Sequence, residues 1–170
     1  MLALKIAGGM IITVSGAMGG LFAAKRLERQ CAAVSDYIAF LTYSESMIGY
    51  CAADIAEILS DADRFPYLEK IITDVRAYLA GGKEFSRAWK TAVSDSAARG
   101  EIGKSDIRLI ASFGEGFGAM GAEEEIRRIQ LHKDEAQRRL SELRPQLEAK
   151  RRLYRVVGTF CGMLAAVIII

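Results

Sequence analysis

Hydrophobic positions are continuous at the two ends of this chain and periodic between them. Ile6–Ala24 is an uncharged run of about 19 residues, enough for a helix rising 1.5 Å per residue to cross a hydrocarbon core about 30 Å thick. A second run of about 15 residues, Val156–Ile170, reaches the C-terminus, and Leu153 and Tyr154 extend it while Arg155 snorkels to the interface. Between the runs the apolar positions recur every three or four residues. Leu27, Cys31, Val34, Ile38, Leu41 and Ile48 carry the first helix on to about Tyr50. Asp54 caps a short helix through Leu59, and Pro66 stands at the first position of a third helix, through Leu68, Ile71, Ile72, Val75, Tyr78 and Leu79, that Gly81 and Gly82 stop. Phe85, Ala88, Trp89, Ala92 and Val93 mark a fourth helix ending near Gly100; Ser105 caps a fifth, with Ile107, Ile110, Phe113 and Phe117 inward. Gly121 precedes a sixth, whose Ile126, Ile129, Ala136, Leu140, Leu143 and Leu147 repeat near 3.5 residues, suiting coiled-coil-like packing, with Pro145 kinking it. No segment alternates with the two-residue period of a strand. The expected fold is an all-α bundle of six helices, the first and last continuing into transmembrane helices.

Charge follows the same division. All the acidic residues, and every basic residue except Lys5, lie within Lys25–Arg155, so the segment is nearly neutral and lacks the basic footprint of a nucleic-acid binder. Three parts result: an N-terminal span over 1–24, a helical domain over 25–155 and a C-terminal span over 156–170. The first run also has features of a cleaved leader, with Lys5 ahead of it and Ser15, Gly16 and Ala17 near a cut. Lys25, Arg26 and Arg29 follow at once, however, and a basic cluster there favours an uncleaved span. With Lys150, Arg151, Arg152 and Arg155 before the second run, the positive-inside rule puts the domain in the cytoplasm and both termini across the membrane. Gly16 and Gly20, and Gly158 and Gly162, form GxxxG pairs, candidate helix-packing faces within the chain or in a homo-oligomer.

Candidate chemistry is sparse. Cys31, Cys51 and Cys161 have neither disulfide nor metal spacing and read as buried small apolar residues in a reducing compartment. Gly116, Gly118 and Gly121 match G-x-G-x-x-G, but the dinucleotide fingerprint needs a preceding strand, so a glycine-rich turn between helices is expected. His132, alone on a charged segment, reads as a solvated surface histidine. Glu123, Glu124 and Glu125 point around the first turn of the sixth helix and offset its dipole. No catalytic residue, metal ligand or cofactor site is assigned. Arg127, Arg128, Lys133, Arg138 and Arg139 alternate with acids of the same helix. Arg127, Arg128, Arg138 and Arg139 with Glu124 and Glu125 are the candidate docking face, set against a solvated flank laced with weak ion pairs.

Particular residues resemble the stage III sporulation protein AB family of endospore-forming bacteria. Leu41, Glu45, Ile48 and Tyr50 are similar to its L...E..I.Y stretch, Ala88-Trp89 to its mid-domain tryptophan, and Phe113-Gly114-Glu115-Gly116-Phe117-Gly118 to its FGxxLG turn; Gly158 and Gly162 fall where its last span has small residues. The chain departs from that pattern at Asp54-Ile55, Gly121 and Glu125. The resemblance implies a non-enzymatic membrane platform in the complex linking mother cell and forespore, with a domain like the cytoplasmic domain of secretion and pilus platform proteins. It implies a mother-cell location in the outer forespore membrane. The implied partners are a secretion-type ATPase, other membrane subunits and the bilayer. A self-assembling pore is the alternative; it needs a polar stripe on a span, and neither run carries charge.

Overall fold

The computed structural model describes the backbone of residues 2–169 except 104 and 119, and the side chains of 24–153 except those two, together with Val156. Among the described residues every regular element is helical and no strand occurs. In order they are α1 (Leu2–Cys51), α2 (Ile55–Ile58), a 3₁₀ turn (Ala62–Arg64), α3 (Glu69–Ala80), α4 (Phe85–Ala98), α5 (Ile107–Ser112) and α6 (Ala122–Ile169). The all-α class and the six α-helices match the sequence reading. Among the described residues no helix is long and apolar enough to cross a membrane. Apart from Ala24 and Val156, the predicted spans at 6–24 and 156–170, and with them the glycine pairs Gly16/Gly20 and Gly158/Gly162, lie outside the residues whose side chains are described.

Two compact units are present. Residues 30–141 form the bundle, and 1–29 with 142–170 form the other. The division falls inside the charge-marked segment 25–155, because charge reports where a helix meets polar surroundings and compactness reports which residues have neighbours across the fold. In the smaller unit Leu27 and Leu143 are buried, and Arg151 donates to the exposed Glu28 at 2.6 Å.

In the bundle most of the periodic positions face inward as expected; Ile38, Ile48 and Ile126 are only half-buried, and Tyr37 and Phe40 join the core. Val34, Tyr37, Phe40 and Leu41 of α1, Ile71, Ile72 and Val75 of α3, Ala88, Trp89, Ala92 and Val93 of α4, and Ile129, Ala136 and Leu140 of α6 are buried. Edge-to-face and tilted ring pairs bind this core: Phe40 meets Phe65 at 5.5 Å and Phe113 at 5.7 Å, and Trp89 meets Phe113 at 5.2 Å between centroids. α1 and α6 lie side by side, with Glu45 accepting from Lys133 Nζ at 2.6 Å and from Gln130 Nε2 at 2.8 Å. The bond from Lys133, then that from Gln130, holds the Glu45 carboxyl below the ordinary glutamate range.

Two helix starts differ from expectation. Pro66 lies in a turn ahead of α3, whose first helical residue is Glu69; the Tyr67 N–H there is taken by Asp36 Oδ2 of α1 at 2.8 Å, a tertiary partner no local signal announces. Ser105 does not cap α5. Its hydroxyl instead accepts from Arg139 Nη2 of α6 at 2.7 Å. Asp54 does cap α2, accepting from the Glu57 N–H at 2.8 Å. α6 runs through Pro145.

Candidate functional site

The Phe-Gly turn after α5 organises one end of the bundle. A helix leaves its last carbonyls without intrahelical donors, and here α6 supplies one to the turn. Arg128 Nη1 donates to the carbonyls of Phe113 at 3.0 Å and Glu115 at 2.6 Å, while Nε and Nη2 donate to Glu125 Oε1 at 3.2 and 2.6 Å. The Gly118 N–H donates to Glu125 Oε2 at 3.4 Å. The guanidinium also stands over the rings of Phe113 and Phe117, 5.6 and 5.5 Å from their centroids. Glu125 and Arg128 therefore clip the turn onto α6.

The glycines serve the same packing. A Cβ on Gly114 would lie 2.6 Å from Trp89 Cδ1. Gly118 has φ +81°, and a Cβ there would lie 2.6 Å from Ile55 Cδ1. The G-x-G-x-x-G string follows helix α5, so the turn between helices expected from sequence is what forms, with residue 119 outside the description.

Beside this turn opens a groove of about 590 Å³. Ile48 and Ile55 line it together with Leu79, Phe85, Phe117 and Met120, and Ala52, just past α1 with φ +50°, is also part of its wall. Met120 is 50% exposed, and Tyr50, the next-to-last residue of α1, is 92% exposed. Asp54 and Glu125 are the charged residues of the lining. Sequence reasoning did not find this groove, since α1, α2, the turn and α6 meet there only in the folded chain.

The stage III sporulation protein AB family model matches residues 5–170. The chain belongs to this family. Comparison with curated proteins and with solved structures gave no match.

In this family member the six candidate docking residues separate. Glu125 is 3% exposed and is committed with Arg128 to the Phe-Gly turn. Arg139 donates to Asp106 Oδ1 at 2.7 Å and holds the start of α5. Arg127, Arg138 and Glu124 remain on the surface. Arg127 and Arg138 are eleven residues apart, about three helical turns, and share one face with exposed Leu131. Glu123 and Glu124 are exposed in the first turn of α6, as a dipole role requires.

His132 departs from the solvated reading. It is half-buried, its ring meets the edge of Phe113 at 5.9 Å between centroids, and its Nδ1 is buried with no hydrogen-bond partner. Burial, and then the neighbouring Arg128 charge, hold it below the ordinary imidazole value of 6.5. In the window just beneath 6.5 the unfolded chain binds the proton and the folded one does not, so this stability is present above 6.5 and is lost as pH falls through the window. Urea midpoints of the full chain should fall between pH 7.5 and 5.5, and His132→Gln should flatten that slope. An unchanged slope in the variant would assign it elsewhere; Glu45, held low, acts at lower pH.

Proposed function

We propose that this chain is a non-enzymatic membrane platform of the sporulation complex, held in the outer forespore membrane with its bundle in the mother-cell cytoplasm. There it docks a secretion-type ATPase and joins the other membrane subunits. The observation carrying this reading is family membership over residues 5–170 in a chain whose α1 and α6 each run unbroken from a hydrophobic end into the bundle. Basic residues at 25–29 and 150–155 flank both apolar runs, which supports a cytoplasmic bundle by the positive-inside rule. Continuous helical backbone gives an ATPase-driven shift in the bundle a covalent route to both ends.

In intact protoplasts a protease added outside should leave the bundle whole and cut it only after lysis; cleavage from outside would end the platform reading. For the docking face, the pair Arg127→Glu and Arg138→Glu should reduce retention of the ATPase on the full-length protein at least tenfold. Undiminished retention would remove that face from consideration. Arg139 is unsuited to this test because it braces Asp106.

A further inference from the structure

The groove beside the Phe-Gly turn is apolar within and acidic around. Its side-chain lining is dominated by Ile48, Ile55, Leu79, Phe85 and Phe117, and Met120 stands half out of it into solvent. Of the segments that build it, those around α2 and the Phe-Gly turn carry no base, while the turn between lining residues Leu79 and Phe85 carries Glu84 and Lys83, whose Nζ stands over the Tyr78 ring at 3.9 Å. From Met47 to Asp63 the charges are Asp54, Glu57, Asp61 and Asp63, and from Phe113 to Ile126 they are Glu115, Glu123, Glu124 and Glu125. Asp54 lines the groove, Glu57 is exposed on the same short helix as the lining residues Ile55 and Ile58, and Glu123 and Glu124 are exposed beside lining residue Ala122. On α6, Arg128 is turned to Glu125 and the carbonyls of Phe113 and Glu115.

Such a surface selects its occupant by charge. Phosphates of nucleic acid and anionic lipid headgroups meet mostly like charge at the rim, whereas apolar side chains flanked by Lys or Arg gain both burial and attraction. We propose that this groove is a docking site for a basic amphipathic helix of a partner protein, its apolar face laid against Ile48, Ile55, Phe117 and Met120 and its Lys and Arg residues reaching Glu57, Glu123 and Glu124. This is the helix-in-groove mode, in which apolar anchors supply affinity and rim charges supply selection and rate of encounter. It is separate from the Arg127–Arg138 face of α6 and does not depend on the platform reading.

The test uses the full-length chain in neutral-lipid nanodiscs, with a photo-crosslinking residue in place of Met120. The probes are two helical peptides of about five turns, one of Leu and Lys and one of Leu and Glu. The Leu/Lys peptide should label the protein at least tenfold more than the Leu/Glu peptide. The charge-reversed variant Glu123→Lys/Glu124→Lys should lower its labelling at least tenfold, as should Glu57→Lys, a second variant on a different helix, each with its helical circular dichroism retained. Equal labelling by both peptides would overturn the proposal, as would labelling that survives both reversals. Protein-to-protein crosslinks dominating without peptide would also overturn it, showing that a second copy fills the groove. Crosslinks to lipid alone would do the same.

Discussion

Arg128→Ala lowers the stability of the full-length protein by about 3–5 kcal/mol, the cost of removing one partner from a buried ion pair. Arg128 is 15% exposed and Glu125 4% at the side chain. Without the guanidinium, among the described residues the Glu125 carboxylate keeps the Gly118 N–H at 3.4 Å, and the carbonyls of Phe113 and Glu115 lose the Arg128 donor. Attraction between the two charges is a small part of that loss. Most of it comes from leaving a carboxylate stranded in a poorly solvated place, so Arg128→Met combined with Glu125→Leu should recover much of the loss. Arg127→Ala, on the exposed face next door, should change stability by no more than about 0.5 kcal/mol. Trp89 is the single tryptophan and is fully buried, so its fluorescence reports urea unfolding of the bundle in nanodiscs. An Arg128→Ala midpoint close to that of Arg127→Ala would show that the clip carries no weight.

Trp89→Ala should cost roughly 3–5 kcal/mol through the cavity it leaves, and more because the Ile110 carbonyl loses the Trp89 Nε1–H bond at 2.7 Å. The indole is stacked on Phe40 at 5.6 Å, tilted against Phe85 at 5.8 Å, and closes over Gly114, where it leaves no room for a Cβ. That last contact makes the prediction sharper. Gly114→Ala should by itself destabilise by about 1–3 kcal/mol as an overpacking change, yet be nearly neutral in the Trp89→Ala background, where the space exists. Circular dichroism of the four proteins gives the coupling directly. Additive losses would mean that Gly114 is required for another reason.

Much of the fold was legible in residue spacing because helical periodicity is local. Leu27 to Ile48, Ile71 to Val75, Trp89 to Val93 and Ile129 to Leu143 each announce an inward face within a few turns. The same register, carried through α6, puts Glu125 and His132 on the stripe of Ile129, Ala136, Leu140 and Leu143. That is the signal by which their inward placement could have been found; polarity led instead to a dipole partner and a solvated histidine. Pro66 and Ser105 misled in a similar way, since both are good local starts for a helix, whereas the bonds formed there, from the Tyr67 N–H to Asp36 and from Arg139 to the Ser105 hydroxyl, reach α1 and α6.

By itself the sequence determined the all-α class, the helix order and inner faces, the near-neutral middle between two hydrophobic ends and, through its motifs, the family. These rest on spacing along one chain and on composition, which need no knowledge of what packs where. Tertiary structure alone decided which charges of α6 serve the fold and which stay exposed, and where an apolar groove is left open among mostly acidic residues. Those outcomes depend on groups more than ten residues apart, such as Arg128 with the carbonyl of Glu115 or Ile55 with Gly118, being brought within a few ångströms. A buried charge must find a partner wherever the chain places one.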